Sequence, residues 1–305
     1  MFSSLGSRSG RRRQESSPGS PVITFLTHKF TADGTYVRSD GCVAVDIVCV
    51  GGGGGGSGAK GSGSEVGLGS CGGGGGTVKH HLDFTPRVIE AVTQAATAVV
   101  TAPGHGYQDG TVVRITAVVG MTQLNGNDYT VANRTDDTFE LDGVNSTGFD
   151  AYVSGGFLAF VSCPVDVGAG GQGGTNAPGS GAAGETSSFG GYCAAEGGEA
   201  GYHIVMGSTQ RISWATAGGD GAGDLVIPGG WASRNLRISG TSGYAFGFGG
   251  STPYGAGGPA ENFGDGQPGS GYGAGGGSVG VAASTGYAGA AGQPGLVLVT
   301  ETILI

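Results

Sequence analysis

The chain has 305 residues, of which 71 are glycine; 12% are charged and the formal net charge is −9. Glycine at that share without a strict Gly-X-Y period excludes a collagen triple helix, and the 37% of hydrophobic residues interleaved with the glycines argues against low-complexity disorder. The one basic cluster, Arg8, Arg11, Arg12 and Arg13, is too small to track a nucleic-acid backbone, which excludes nucleic acid as a main partner.

Residues 1 to 20, MFSSLGSRSGRRRQESSPGS, contain almost nothing to bury and read as a flexible basic arm. Its four arginines are the candidates for anchoring the chain to a partner. Nothing there resembles the apolar stretch of a secretion signal, and no run reaches the roughly 20 apolar residues of a membrane span. A protein made in the cytoplasm without membrane insertion is expected.

From Pro21 the texture is that of strands: VITFLTHKF, a turn at Ala32-Asp33-Gly34, TYV, a turn at Ser39-Asp40-Gly41, then CVAVDIVCV. In the last run Val43, Val45, Ile47 and Cys49 share one face and Ala44, Asp46, Val48 and Val50 the other, so burial of both faces is expected. Gly51 to Gly56 follow directly. A strand entering glycines is how phosphate-binding loops begin, but 57–76 lacks a helical period. Lys60 sits between Ala59 and Gly61, so Gly-Lys-Ser/Thr is missing as well. The run is therefore expected to serve close backbone packing, and no cofactor is expected. His80 and His81 are neighbours in a strand and point to opposite faces, so they cannot share one ion within a chain, and no metal is expected.

Residues 87–158 are ordinary in composition and interrupt two glycine-rich stretches, 21–86 and 159–305. Val88, Ile89, Val92, Ala95, Ala96 and Val99 follow helical spacing, while TVVRITAV, NDYTVANRT and DTFELDGV read as short antiparallel strands joined by tight turns.

In 159–305, Gly276-Gly277-Ser278-Val279-Gly280 matches a nucleophile pattern but lacks its strand-turn-helix setting. Asp220, Asp224, Glu261 and Asp265 are scattered through loops without a pair spaced for acid and base work, so no enzyme is expected. Trp231, Tyr244, Phe246, Phe248, Tyr254, Phe263 and Tyr272 stand among glycines. Filling the core between glycine segments is the first expectation for these rings, and contact with a receptor is the second. The closing LVLVTETILI from Leu296 is apolar enough to require pairing, with the N-terminal strands as natural partners. Cys42, Cys49, Cys71, Cys163 and Cys193 form no CxxC pair and are odd in number, which points to free thiols in a reducing compartment.

The ordered blocks GTYV, VAVDIVCVGGGGGGSG, VDVGAGGQGG, GETSSFGG, GGDGAG, GSTPYGAGG, GYGAGGGS and GQPGLVLVTETI resemble the glycine-rich domain of tailed-phage tail fibres and other virion adhesins. GHGYQDGTVVRITAVVGMTQLNGNDYTV and DDTFELDGVNSTGFDAYVSGG resemble a small β-barrel named after an accessory (FCCH) domain of ubiquitin-activating enzymes, which recurs in phage structural proteins. The second resemblance implies strands over 88–101 in place of a helix, and no ubiquitin chemistry. Together they imply an all-β fold: a glycine-rich β-sandwich with polyglycine, PPII-like layers and an inserted small antiparallel β-barrel projecting from its side. They further imply a virion structural protein, a trimeric tail-fibre or receptor-binding adhesin that mediates host attachment. Its expected partners are other virion proteins through the arm 1–20 and a host surface glycan or outer-membrane protein. The alternative is a head fibre or capsid decoration protein without a specific receptor.

Overall fold

The computed structural model describes residues 22–61, 66–177, 179–206, 215–233, 235–239, 242–244, 246–281 and 285–305. The arm 1–20, with Arg8, Arg11, Arg12 and Arg13, lies outside the described residues. The longer strands before the insertion are β1 (Ile23–Phe30), β2 (Gly34–Val37), β3 (Cys42–Val50) and β4 (Thr77–Asp83). Within the insertion lie β5 (Arg87–Val88), β6 (Ala91–Val92), β7 (Val99–Thr101), β8 (Val112–Val119), β9 (Asp128–Ala132) and β10 (Thr138–Leu141). β11 (Ser154–Asp166) leads out of it, followed by β12 (Ser187–Phe189), β13 (Cys193–Ala195), β14 (Leu225–Ile227) and β15 (Leu296–Leu304).

The fold is all-β, and among the described residues the one helical turn is the 3-10 segment Thr122–Leu124. A five-stranded antiparallel sheet runs in the order β1-β15-β3-β4-β14, so the two ends of the chain pair with each other. One face of β3 is buried along its length through Val45, Ile47 and Cys49, whereas on the other Asp46 is exposed, Ala44 and Val48 are half-buried and only Val50, at the bundle end, is buried. The expected burial of both faces thus holds only at the bundle end, where the segment at Gly273 covers Val50, and is corrected for the rest of the strand. A register shift between Thr302 and Ile303 also turns Cys42 inward where strict alternation assigned Val43.

The inner face packs against Tyr36, Phe160, Phe189 and Cys193, which belong to a second sheet built around the thirteen-residue β11. One end of β11 pairs with β2 and β12, the other with β8 and β5, so a single strand serves both the glycine-rich part and the insertion. The apolar core runs on without interruption into Val113, Ile115, Leu124, Phe139 and Leu141.

The insertion is not a closed barrel. Its ladder runs β6-β7-β10-β9-β8-β11-β5 and stops, because β5 and β6 are two pieces of one strand broken at Ile89 and Glu90. Those two residues turn their N–H groups to opposite sides, Ile89 donating to Gly156 O at 3.0 Å and Glu90 to Thr101 O at 2.8 Å. The gap is therefore spanned by covalent chain instead of a ladder. Helical spacing over 88–99 reflects this break and the turn before β7, and no helix forms.

Beyond β3 the chain continues as residues 51–58 without joining a strand ladder. Hydrogen bonds there repeat every three residues. Gly51 and Gly54 donate to Gly76 and Gly73, Gly52 and Gly55 to Glu185 and Ala182, and Gly53 and Gly56 to Gln293 and Ala290, all at 2.9–3.0 Å. In return, the carbonyls of Gly52 and Gly55 accept from Gly198 and Gly201, those of Gly53 and Gly56 from Gly171 and Gly174, and that of Gly54 from Gly276. A repeat of three is that of a polyproline-II helix. It surrounds one segment with six neighbours, three antiparallel and three parallel. Segments 70–76 and 273–277 are enclosed in the same manner, and all three are buried.

None of Gly51 to Gly56 has a positive φ, so backbone freedom is not what selects glycine there. Space is. A Cβ on Gly54 would overlap the carbonyl oxygen of Glu199, and one on Gly55 that of Gln172. Side chains close the far end of the bundle, where Asn235 Nδ2 donates to Ser278 Oγ at 2.7 Å and Thr216 Oγ1 to Cys71 O at 2.7 Å.

At the other end, the five-stranded sheet buries a carboxylate. Glu301 is fully buried and accepts from Tyr36 OH at 2.5 Å and from the Ser39 N–H at 3.0 Å. His28 Nε2 stands 3.3 Å from its second oxygen. Burial alone would raise this carboxyl, but the bonds from Ser39, Tyr36 and His28 outweigh it and hold the group below the usual carboxylate range.

Gly54→Ala is expected to cost more than about 3 kcal/mol in thermal or urea unfolding, because rigid backbone cannot move aside, while Gly264→Ala, which meets open space, stays within about 0.5 kcal/mol. For Glu301, a depressed folded-state pKa means its stabilisation is complete above the unfolded carboxyl value of about 4.3 and is lost as pH falls through the lower folded value. Urea unfolding across this acidic window is expected to show that loss, whereas Glu301→Gln is weaker by about 2 kcal/mol at pH 7 and has a flatter acid limb.

Candidate functional site

The ladders fix the polarity of the molecule. Val50 pairs with Leu296 where β3 enters the bundle, while Val22 and Ile305 exchange hydrogen bonds of 3.1 and 2.9 Å at the opposite end of the sheet. Both described termini therefore leave from the end away from the glycine bundle. The chain reverses at the bundle's far end between segments 51–58 and 70–76.

The seven candidate aromatics divide between these regions. Trp231 and Phe248 are 70% and 56% exposed, and Phe246 and Phe263 are also exposed, which corrects the first expectation that such rings fill the core. Three adjacent segments carry them. The Ser233 N–H donates to Phe248 O at 2.9 Å, and the Ala260 N–H to Gly247 O at 2.8 Å, laying 231–233, 246–249 and 258–263 side by side along the outside of the bundle. Phe246 stands at the far end, since Gly247 is tied to Asn235 and Asn235 to Gly69. Phe263 is there too, its N–H on Gly280 at the level of Leu68. Its backbone sits at φ +62, a left-handed position that a bulky residue occupies at a cost of about 1–2 kcal/mol. Strain carried by an exposed ring is characteristic of sites held for contact and not for packing.

Tyr254 and Tyr272 do not join this group. They are half-buried at the sheet end, where the Tyr272 N–H donates to Tyr254 O at 3.0 Å and Lys29 Nζ lies 4.8 Å from the Tyr272 ring centre. Tyr244 lies on the short strand Ser242–Tyr244, and its side chain is outside the described set.

The other motifs read as structure. Lys60 is an exposed charge beside Gly286, and the six glycines neither wrap an anion-sized hollow nor open a helix. Ser278 is buried, its hydroxyl hydrogen-bonded to Asn235 and Cys71. His81 Nδ1 meets Asp46 at 2.8 Å and His80 Nδ1 meets Asp224 at 3.1 Å, on opposite faces of β4. A bond from the His81 N–H holds the Asp224 carboxyl below its usual range. These pairs, with Lys79, border an open groove of about 400 Å³. Among the described residues no three His, Cys, Asp or Glu side chains converge to hold a metal ion, and no helix is long and apolar enough to cross a membrane.

One surface escaped the sequence reading. β1 is an edge strand, and Val22, Ile23, Phe25 and Leu26 are exposed along it, Phe25 by 69%. Periodicity cannot separate such an edge from a buried strand, because VITFLT is apolar in either setting.

Residues 94–161 match the family described as the ubiquitin-activating enzyme E1 FCCH domain, a span within the insertion and the first part of β11. No curated protein matches the chain.

Trp231→Ala and Phe248→Ala are each expected to change unfolding free energy by less than about 1 kcal/mol, against the 3–5 kcal/mol of a buried aromatic. Phe263→Gly is expected to be neutral or stabilising by up to about 1 kcal/mol, as it releases the left-handed strain. Thermal denaturation of the purified variants checks both.

Proposed function

We propose that this protein is a bacteriophage virion structural protein, a tail-fibre or receptor-binding component that mediates host attachment. The observation that carries the reading is the separation of ends: termini and an exposed apolar edge strand at one, exposed and partly strained aromatic rings towards the other. The resemblance of the glycine blocks to virion adhesins points the same way. So does the FCCH-like insertion, a module that the residues resemble in phage structural proteins.

In this reading the arm 1–20, through Arg8, Arg11, Arg12 and Arg13, and the neighbouring edge β1 hold the chain to other virion proteins. Trp231, Phe246, Phe248 and Phe263 face a host glycan or outer-membrane protein. Rings supply large contact area at small entropy cost, and loops fixed to a backbone lattice can change sequence without disturbing it. A homotrimer would present three such rows together.

Competition with purified protein tests the proposal. Excess protein is expected to reduce phage adsorption, and the double variant Trp231→Ala, Phe248→Ala to need at least about tenfold more protein for the same effect, a loss of about 1.4 kcal/mol. Unchanged adsorption with excess wild type overturns the adhesin role. Immunogold label at capsid vertices in place of the tail assigns the chain to a head fibre or decoration protein.

A further inference from the structure

Five buried cysteines are free, and two of them touch. Cys49 Sγ lies 3.6 Å from Cys193 Sγ, across the interface between the five-stranded sheet and the sheet that carries β13. Their positions in the chain are as telling as the contact. Cys49 is the last residue but one of β3, just ahead of segment 51–58, and Cys193 opens β13, which runs into segment 196–201. Those two segments are parallel neighbours in the bundle, joined by the Gly198 and Gly201 N–H groups on the carbonyls of Gly52 and Gly55. The two sulfurs thus sit where two glycine helices leave their strands.

We infer that Cys49 and Cys193 are a modification site: a latent inter-sheet disulfide that closes in an oxidising medium and locks the roots of the bundle. A disulfide needs its sulfurs at about 2.05 Å, and a contact across two facing strands is a geometry that small side-chain rotations can bring to that distance. The bond would join residues 144 positions apart, a long loop whose closure restricts the unfolded chain strongly.

The reaction balances with a low-molecular-weight disulfide such as oxidised glutathione as oxidant. The Cys193 thiolate attacks one of its sulfurs, forming a mixed disulfide and releasing one glutathione thiolate. The Cys49 thiolate then attacks the Cys193 sulfur and releases the second. One S–S bond breaks and one forms, two electrons pass to glutathione, and the two cysteine protons end on the two glutathione thiols. Contact with Cys193 and burial push the Cys49 thiol up, so exchange waits on a local opening of the interface. The pair therefore survives reduced in the cytoplasm and closes slowly outside it. Cys163, buried in the same cluster, is the natural competitor.

The full chain, incubated with oxidised glutathione in urea below the unfolding midpoint, tests the site by non-reducing peptide mapping and thiol counting. Expected are a linked peptide containing Cys49 and Cys193, a loss of two titratable thiols, and a melting temperature raised by roughly 10 °C that dithiothreitol reverses. Cys163→Ser is expected to retain all three effects and Cys49→Ser to lose them. Five remaining thiols, a linkage through Cys163, or a linked pair without a thermal shift overturns the proposal. Mapping of the wild type decides the outcome even where Cys49→Ser fails to fold.

Discussion

The structure depends on one kind of contact: a backbone carbonyl resting where a Cβ would otherwise be. In the segment 51–58 every direction around the helix axis is taken by another main chain, at hydrogen-bond distance and with no side chain between. Buried backbone groups must be paired, and a lattice of three-residue helices pairs them without any strand ladder. The glycines supply no apolar side chains, so this interior is held by dispersion between backbones and by the hydrogen bonds themselves. That is an unusual core, in which a Cβ at any of Gly51 to Gly56 would overlap a backbone carbonyl.

Such a lattice is expensive in chain entropy, since glycine has the most freedom to lose. It is held at its root by an ordinary apolar core. β3, β4 and β15 lead directly into or out of the bundle, and the face formed by Val45, Ile47, Val297 and Val299 packs on Tyr36, Phe160 and Phe189. The same cluster reaches through β11 into the insertion, so the FCCH-like region braces the sheet from which the glycine helices spring. Most pairings here join distant parts of the chain, which makes this a topology whose loops must close before their contacts form.

Much of this was legible in the residues. VAVDIVCV running into Gly51 to Gly56 announced a strand followed by close backbone packing, and the apolar LVLVTETILI announced a partner at the other terminus. The parity of β3 was legible only in part, because Val43 bulges out of the pairing with β15 and turns Cys42 inward, and a valine gives no sign of a bulge. Over 88–99 a helical period and a broken strand are the same string of residues, and the bond partners of Ile89 and Glu90 decide between them. For Trp231, Phe246, Phe248 and Phe263 the obstacle was different. The expectation that rings must fill a core assumed a core with room for large side chains, and the bundle buries only small ones such as Ser57, Cys71 and Ala274, so these rings are turned outward.

The three-residue repeat also sets the units in which this protein can vary in length. A turn of three residues advances a polyproline-II helix by about 9 Å and returns the chain to the same face. Adding or removing three glycines from a segment such as 51–58, with matching changes in its six neighbours, would lengthen or shorten the bundle while every residue kept its neighbour. A single glycine gained or lost would rotate the rest of that segment by a third of a turn, handing each carbonyl to the wrong partner. Length variation in the bundle is thus quantised, whereas its connecting loops are bound by no such arithmetic.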